Sequence, residues 1–275
     1  MNHNPLGRQT DYVSVYAPHL LFPIPRAESR ALLGIGATLP FYGVDIWTGY
    51  EVSWLDALGK PVVAIAEFSI PCDSKFIVES KSFKLYLNSL NQTRFDSAAQ
   101  VETLITKDLT GVTGADVLVS IMPLSASLRA AQHLAEIAEV KGEVLDDLVV
   151  AVDAYHPMPE LLTTETEIVD ECLVSHLLKT NCPVTGQPDW ASIVIRYKGN
   201  KVQRENLLRY IISFREHQDF HEHCVERIFN DIARICKPEE LVVYARYTRR
   251  GGLDINPFRS SSPDIEPELL RLIRQ

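Results

Sequence analysis

The sequence predicts an α+β fold with antiparallel sheets, arranged as two similar units in one chain of 275 residues. Two observations support this prediction. Strand-like alternation and helix-like spacing of apolar residues follow the order strand, strand, helix, helix, strand, and this order occurs twice. Three short blocks also recur in the same order: "YEVSWL" with "CLVSHL", "FKLYLNSL" with "LLRYIISF", and "DVLVSI" with "ELVVYA".

The first unit is predicted from hydrophobic periodicity and helix start signals. Its elements are a strand over 45–55, a strand over 61–70, a helix over 79–90, a helix over 96–108 and a strand over 116–122. Asp96 is expected to be the N-cap of the second helix. A connecting amphipathic helix is expected over 126–139.

The second unit repeats the pattern. Its elements are strands over 168–178 and 190–198, a turn at "KGN" (198–200), helices over 204–214 and 220–236, and a strand over 240–247. The predicted boundaries are an N-terminal wrap over 1–42, a first unit over 43–140, a connector over 141–164 and a second unit over 165–275. Helices on one face of each sheet are expected.

Composition and charge restrict the class of protein. The chain is 46% hydrophobic and 23% charged, with a net charge of −9, so we expect a globular protein that does not bind nucleic acid directly. No signal peptide or membrane-length apolar run is recognised. The cysteine number is odd and no CxxC pair occurs, which predicts reduced thiols in the cytoplasm: Cys72, Cys172, Cys182, Cys224 and Cys236.

One stretch is longer in the second unit than in the first. The first unit joins its first two strands by "DALGK" (56–60), whereas the second has "KTNCPVTGQPD" (179–189). An insertion rich in turn residues predicts a functional loop. Cys182 in that loop is a candidate nucleophile, because thiolates need partial exposure, and Asp189 could move protons for it. The alternative is that Cys182 is a small buried apolar residue that caps the sheet.

The segment "DFHEHCVERIF" (219–229) offers a second set of candidate groups. Asp219 and Glu222 fit a capping box that opens a helix. His221 and Cys224 share one helix face, and with Cys182 they could bind zinc. The usual ligand spacings are absent, so no metal site is predicted; His221 as an ordinary surface histidine is the alternative.

The segment "VESKSFKLY" (78–86) places Ser80 in the first turn of a helix and Lys81 and Lys84 on one face. A helix N-terminus with lysines can bind phosphate, although a solvated helix face explains the same pattern. "GIGATL" (34–39) has leucine where a dinucleotide loop needs its third glycine, so no Rossmann unit is expected.

These motifs resemble a known family, the NADPH-dependent 7-cyano-7-deazaguanine reductases, which are the nitrile reductases of queuosine biosynthesis. The resemblance extends in order over nearly the whole chain. It rests on "LLFPIPR" (20–26), "GVDIWTGYEVSWL" (43–55), "ESKSFKLY" (79–86), "TNCPVTGQPDW" (180–190), "FHEHCVE" (220–226) and "RRGG" (249–252). It implies the tunnelling fold, shared with GTP cyclohydrolase type I, in tandem units of the long form, and a homodimer.

The resemblance also implies a role for each matching residue. Cys182 would attack the nitrile carbon to give a thioimide, and Asp189 would protonate the nitrile nitrogen. The implied substrate-binding residues are Val78, Glu79, Ser80, His221 and Glu222, and the implied NADPH-binding residues are Ser80, Lys81, Arg250 and Gly251. The site would then draw on both units, so neither half should work by itself.

Two other functions are compatible with the same residues. A zinc-dependent hydrolase similar to GTP cyclohydrolase, on the same fold, would require bound metal. A non-catalytic module that binds purines would keep its function when Cys182 is replaced by alanine.

Overall fold

The computed structural model describes residues 12–124, 134 and 136–275. The chain divides into two compact units, and each unit is assembled from separate stretches of sequence. The first comprises residues up to Ser29, Asp45–Glu136 and Arg249–Ile255; the second comprises Arg30–Val44, Ile137–Thr248 and Asn256–Gln275. Both contain helices and strands, so the predicted α+β class is confirmed.

The described residues form the following elements. The strands are β1 (Pro23–Pro25), β2 (Tyr42–Leu55), β3 (Pro61–Pro71), β4 (Phe76–Val78), β5 (Leu118–Pro123), β6 (Ile137–Ala138), β7 (Glu143–Val144), β8 (Thr164–Asn181), β9 (Pro188–Val202), β10 (Glu240–Tyr247), β11 (Leu253–Ser260) and β12 (Arg271–Leu272). The helices are α1 (Arg26–Leu32), α2 (Ser80–Ser89), α3 (Ala98–Thr113), α4 (Arg204–Ile212) and α5 (His221–Cys236). Short 3-10 turns occur at Pro18–Leu20, Pro159–Leu161 and Ser213–Glu216.

In the first unit, α2 and α3 share a core with the neighbouring strands β5, β3 and β2. Strands β3 and β5 pair antiparallel. The Phe83 ring of α2 packs edge-on against Phe68 of β3, with ring centroids 4.9 Å apart. Helix α3 contributes Val101, Ile105 and Leu109 to this core, and their four-residue spacing gives it one apolar face.

In the second unit, β10 pairs antiparallel with β9, and β9 pairs antiparallel with β8. The short β7 runs parallel to β8. Helix α5 places Val225, Ile228 and Ile232 in the buried interior, again at helical spacing. This amphipathic helix matters for function because its first two residues are His221 and Glu222.

The internal repeat is visible as the same pair of hydrogen bonds in each unit. The Tyr86 hydroxyl donates to Asp108 at 2.6 Å, and the Tyr210 hydroxyl donates to Asp231 at 2.9 Å. Ser89 and Ser213 each donate to the carbonyl of the tyrosine three residues earlier, at 2.6 Å. The correspondence of Tyr86 with Tyr210 and of Ser89 with Ser213, inferred from the sequence, is therefore present in the structure.

The stretch predicted as a long loop over 179–189 is strand at both ends. Thr180 pairs with Asp189 and Asn181 with Pro188, so the irregular turn covers only 182–187. The turn predicted at "KGN" is also wrong, because these residues lie within β9 and pair with β8. In both places the sheet ladder continues through residues that are usually found in turns, since cross-strand pairing outweighs local preference.

Two predicted helix starts differ from the structure. Ser97, not Asp96, is the N-cap of α3, and its hydroxyl accepts from the Gln100 amide. Helix α5 has Phe220 at its N-cap position without a side-chain cap, so the predicted capping box is wrong. Asp219 lies one residue too early to cap, and its carboxylate accepts from the Phe220 amide and contacts His223.

The connecting helix predicted over 126–139 falls mainly on 125–133 and 135, outside the described residues. Ile137–Ala138, at the end of the predicted helix, instead form β6, which pairs parallel with β12. The prediction of a helix is therefore wrong for these two residues. The predicted N-terminal wrap contains α1 and β1, and β1 pairs antiparallel with β4. Among the described helices, none has the length and apolar character needed to cross a membrane.

Candidate active site

Cys182 lies in the tight turn that closes the β8–β9 hairpin. Its amide donates to the Gln187 carbonyl, and its carbonyl accepts from the Gly186 amide, both at 2.9 Å. The residue is only 9% exposed, so the exposed loop position expected from the sequence is wrong. The long strands carry the turn into a buried environment, where a reaction at the thiol would be shielded from bulk water.

Asp189 and His221, predicted from separate motifs, come together in the second unit. Asp189 is the second residue of β9, opposite Thr180, and is 6% exposed. Its Oδ2 atom lies 3.4 Å from Nε2 of His221, the first residue of α5. A buried carboxylate beside an imidazole can hold and transfer a proton, as the predicted acid at the nitrile nitrogen requires.

His221 also contacts a residue that the sequence did not indicate. Its imidazole stacks on the Tyr247 ring, with centroids 3.7 Å apart and planes inclined by 4°. The Nδ1 atom of His221 is buried and has no hydrogen-bond partner among the described residues. Tyr247 ends β10 and His221 begins α5, so only the packing of these two elements reveals this neighbour.

Burial keeps two groups at this position, Tyr247 and Cys224, from ionising. Burial raises the pKa of the Tyr247 phenol well above its usual value, and negative charge at Cys224, Asp189 and Glu222 raises it further. Burial likewise raises the pKa of the Cys224 thiol well above its usual value. Cys224 is therefore a poor nucleophile, because the thiolate is the reactive form.

Glu222 follows His221 in α5 and is 2% exposed, so it is a buried carboxylate at the N-terminal end of the helix. Asp219 holds the residues just before α5 through its contacts with Phe220 and His223. Burial by itself would raise the pKa of Asp219, but the nearby imidazoles of His217, at 3.6 Å, and His223, at 3.0 Å, hold it well below its usual value. The start of α5 thus has an ionised carboxylate that ties the connecting segment to the helix.

In the first unit, Lys81 and Gly251 line one cavity of about 230 Å³, as the predicted cofactor role requires. Lys84, Glu51 and Gly252 also line it. Lys84 follows Lys81 by three residues on α2. This helical spacing was the only feature of the sequence that placed Lys84 on the same helix face as Lys81. The two lysines make the cavity suitable for an anionic group.

Two glycines form one wall of this cavity. Gly251 has a φ of +59°, and a Cβ atom there would lie 2.9 Å from Nζ of Lys84. Gly252 has a φ of +75°, and a Cβ atom there would lie 2.5 Å from the carboxyl carbon of Glu51. Both the left-handed backbone and the close approach of side chains require glycine.

Of the other predicted residues, Val78, Glu79 and Ser80 lie around the start of α2. Val78 ends β4 and is buried, and Ser80 is the first residue of α2. The Glu79 carboxylate caps the helix by accepting from the Lys81 and Ser82 amides, at 3.0 and 2.7 Å. Arg250 is in the turn before β11, where its amide donates to the Leu253 carbonyl. Neither Ser80 nor Arg250 is among the residues that line the cavity.

Comparisons with known proteins decide the family. The family described as "Nitrile reductase, 7-cyano-7-deazaguanine-reductase N-term" matches residues 12–121, and "QueF-like protein" matches residues 188–264. A protein from Dechloromonas aromatica (strain RCB), named NADPH-dependent 7-cyano-7-deazaguanine reductase, is 55% identical over 274 residues, which cover 99% of this chain and 95% of its own. The chain belongs to this reductase family.

Other members of the reductase family match equally fully. A reductase of the same name from Bordetella avium (strain 197N) is 56% identical over 272 residues, or 98% of each chain. Another from Azoarcus sp. (strain BH72) is 54% identical over 273 residues, or 99% of this chain and 95% of its own. The two profile matches include Lys81, Asp189 and His221, and the full-length alignments also span Cys182.

Proposed function

We propose that this chain reduces the nitrile of 7-cyano-7-deazaguanine to the primary amine, using NADPH, as a step of queuosine biosynthesis. The observation that carries the proposal is the buried pair of Asp189 and His221, 3.4 Å apart, at the end of the hairpin that holds Cys182. Asp189 follows Cys182 across the hairpin turn, and its carboxylate contacts His221 of α5. A nucleophile together with a proton-transfer pair is what addition to a nitrile requires.

The proposed chemistry begins at Cys182. The S–H bond of Cys182 breaks, and its proton passes to the pair formed by Asp189 and His221. The sulfur forms a bond to the nitrile carbon, one π bond of the nitrile breaks, and the nitrogen receives a proton from Asp189. The product is a thioimide, and this covalent step divides a difficult reduction into easier ones. His221 holds the proton-transfer network in place beside Asp189. When bound, NADPH supplies the hydrides, one for the thioimide, whose sulfur then leaves, and one for the resulting imine.

Substrate recognition is proposed to use buried carboxylates. A deazapurine has adjacent N–H donors, and a carboxylate with two oxygens can accept from both. Glu222, buried at the start of α5, is suited to this role, and His221 adjoins it. Val78, Glu79 and Ser80 are proposed as further substrate contacts. The capping bonds of Glu79 leave acceptor capacity, because each carboxylate oxygen has more than one lone pair.

The cofactor is proposed to bind in the first unit. The cavity lined by Lys81 and Lys84 offers positive charge for phosphate, and the glycine wall at Gly251 leaves room for a ligand next to Lys84. Ser80 and Arg250 are proposed as additional contacts to NADPH. The residues present thus fit a phosphate-bearing dinucleotide without a Rossmann motif.

We also propose the tunnelling fold for both units, a homodimer and a cytoplasmic location, without direct binding of nucleic acid. The repeated Tyr–Asp and Ser–Tyr hydrogen bonds support tandem units of one fold. The acidic net charge of −9 disfavours a phosphate backbone as partner. No disulfide joins any two of the five cysteines, which is compatible with a reducing compartment.

Intact-mass spectrometry tests the covalent mechanism. Reduced protein is incubated with 7-cyano-7-deazaguanine in the absence of NADPH. We expect a mass gain of one substrate molecule, which is lost in Cys182→Ala and retained in Cys172→Ala, the matched control. Binding of the substrate without any adduct would support a non-catalytic purine-binding module instead. Activity that depends on added zinc would support the hydrolase alternative.

A further inference from the structure

We infer that Tyr247 is a positioning residue whose ring fixes the plane of the His221 imidazole and so directs Nε2 toward Asp189. This inference rests on the proposed function, in which His221 and Asp189 transfer a proton. The two rings are nearly parallel, inclined by 4°, with centroids 3.7 Å apart. Contact over a whole ring face restrains rotation of the imidazole, while the 3.4 Å approach of Nε2 to Asp189 restrains only one atom.

The hydrogen bonding of His221 shows why such a restraint is needed. An acid–base histidine is usually oriented by a bond from its second nitrogen to a carboxylate or a carbonyl. In this chain the Nδ1 atom of His221 is buried, yet no group among the described residues bonds to it. The stacked Tyr247 ring therefore supplies the orientation that a bond at Nδ1 would otherwise give.

Tyr247 is itself rigidly held, as a positioning residue must be. Its side chain is fully buried, and its backbone continues the β10–β9 ladder opposite Ala191. The Tyr247 carbonyl accepts from Nε2 of Gln275 at 3.1 Å, and the same Nε2 donates to Asn256 at 2.7 Å. The next amide, of Thr248, donates to the Trp190 carbonyl at 2.8 Å, adjacent to Asp189.

The ring, and not the hydroxyl, is the part that acts on His221. The hydroxyl lies beside Thr180 and Cys224, and burial keeps the phenol protonated because its pKa is well above the usual value. Phenylalanine retains the ring face, whereas leucine removes it. The two substitutions therefore separate stacking from hydroxyl chemistry.

A double-mutant cycle tests the inference, with the rate of adduct formation at saturating 7-cyano-7-deazaguanine as readout. The wild type must first form the adduct and Cys182→Ala must not; failure here refutes the proposed function itself. Given that adduct, we expect Tyr247→Leu to slow its formation by about 10- to 100-fold and Tyr247→Phe to restore it to near the wild-type rate. In a His221→Ala background, Tyr247→Leu should cause no further loss, because it acts through His221.

The control is Phe229→Leu, which removes a buried ring from α5, two turns away from His221, and should leave the rate nearly unchanged. Gln275→Ala gives an independent test if Tyr247→Leu does not fold. It should slow the wild type by a smaller factor and leave His221→Ala unaffected. The inference is overturned if Tyr247→Leu forms the adduct at the wild-type rate. It is also overturned if Tyr247→Leu slows adduct formation as much in the His221→Ala background as in the wild type. If Tyr247→Leu does not fold, the same two criteria apply to Gln275→Ala.

Discussion

At the scale of single residues, Asp189 is the proposed proton donor for the addition step. It is buried and faces His221 at 3.4 Å. We expect Asp189→Asn to slow adduct formation by about 100- to 10,000-fold, the usual contribution of general acid catalysis. Stopped-flow absorbance in a single turnover measures this rate. Asp170→Asn, an exposed change on the neighbouring strand β8, is the matched control.

Gly251 gives a prediction for the cofactor cavity. Alanine there would need a left-handed backbone and would place its Cβ 2.9 Å from Nζ of Lys84. We expect Gly251→Ala to raise the KM for NADPH by about tenfold, since a displaced lysine weakens one charged contact. Steady-state kinetics measure this, and adduct formation without NADPH should be unchanged.

Gly111→Ala is the control for that experiment. Gly111 lies in α3, and a Cβ atom there would contact nothing within 4 Å. In a helix interior, alanine is more favourable than glycine by about 1 kcal/mol. Gly111→Ala should therefore keep the wild-type KM for NADPH and be slightly more stable than the wild type. Equal KM values for both alanine variants would contradict the placement of NADPH beside Gly251.

The site could be predicted from the sequence only as far as local motifs reach. Cys182, Asp189 and His221 each lie in a distinctive segment, and Lys84 follows from helical spacing. Tyr247 could not be predicted, because its contact with His221 arises from the packing of the end of β10 against the start of α5 and not from nearby sequence. The sequence left open whether Cys182 is exposed or buried, since burial depends on what packs over the turn.

At the scale of elements, Asp219 holds the segment before α5 through its contacts with Phe220 and His223. The contribution of Asp219 to the free energy of unfolding should depend on pH. The pKa of Asp219 is lowered in the folded state, so its contribution to stability is present above its unfolded pKa of about 4 and is lost as the pH falls. We expect Asp219→Asn to lower the free energy of unfolding by about 1–3 kcal/mol at neutral pH.

Denaturant unfolding of both proteins between pH 7 and pH 3 measures this difference. The gap between wild type and Asp219→Asn should be constant at neutral pH and should narrow below about pH 4, where the carboxylate becomes protonated in the unfolded chain. A gap that widened on acidification would contradict the lowered pKa.

Elements with clear periodicity were predicted well. Strand β10 has its predicted bounds, and α2 lies within one residue of them at each end. The stretch 179–189 was missed because proline, glycine and asparagine indicate a loop, yet the pairing of Thr180 with Asp189 extends the hairpin. Local preference is weak compared with a ladder that buries its side chains, so only the structure reveals the length of β8 and β9.

At the scale of the whole molecule, each compact unit takes residues from both halves of the sequence. Leu253 and Ile255 belong to the core of the first unit, far from its other residues in the chain. In the second unit, Arg30 forms a buried ion pair with Glu226 at 2.7 Å, and the Phe41 ring packs on Phe229 with centroids 5.6 Å apart. A cut between the predicted units removes these contacts.

We therefore expect fragments 1–140 and 141–275, expressed separately, to lack cooperative unfolding. The cut takes the buried Phe41 ring away from Phe229, and loss of a buried aromatic side chain costs about 3–5 kcal/mol, a large share of the stability of a domain. Circular dichroism during thermal denaturation measures cooperativity. A fragment 141–275 that unfolded cooperatively and formed the covalent adduct by itself would contradict the discontinuous units.

The central claim, that this chain is a nitrile reductase, is tested most directly by its product. Purified protein is incubated with 7-cyano-7-deazaguanine and NADPH, the oxidation of NADPH is followed by absorbance, and the product is identified by mass spectrometry. The account predicts the primary amine, with two NADPH oxidised for each amine formed and no turnover in Cys182→Ala. A hydrolysed product without oxidation of NADPH, or an amine formed equally well by Cys182→Ala, would contradict it.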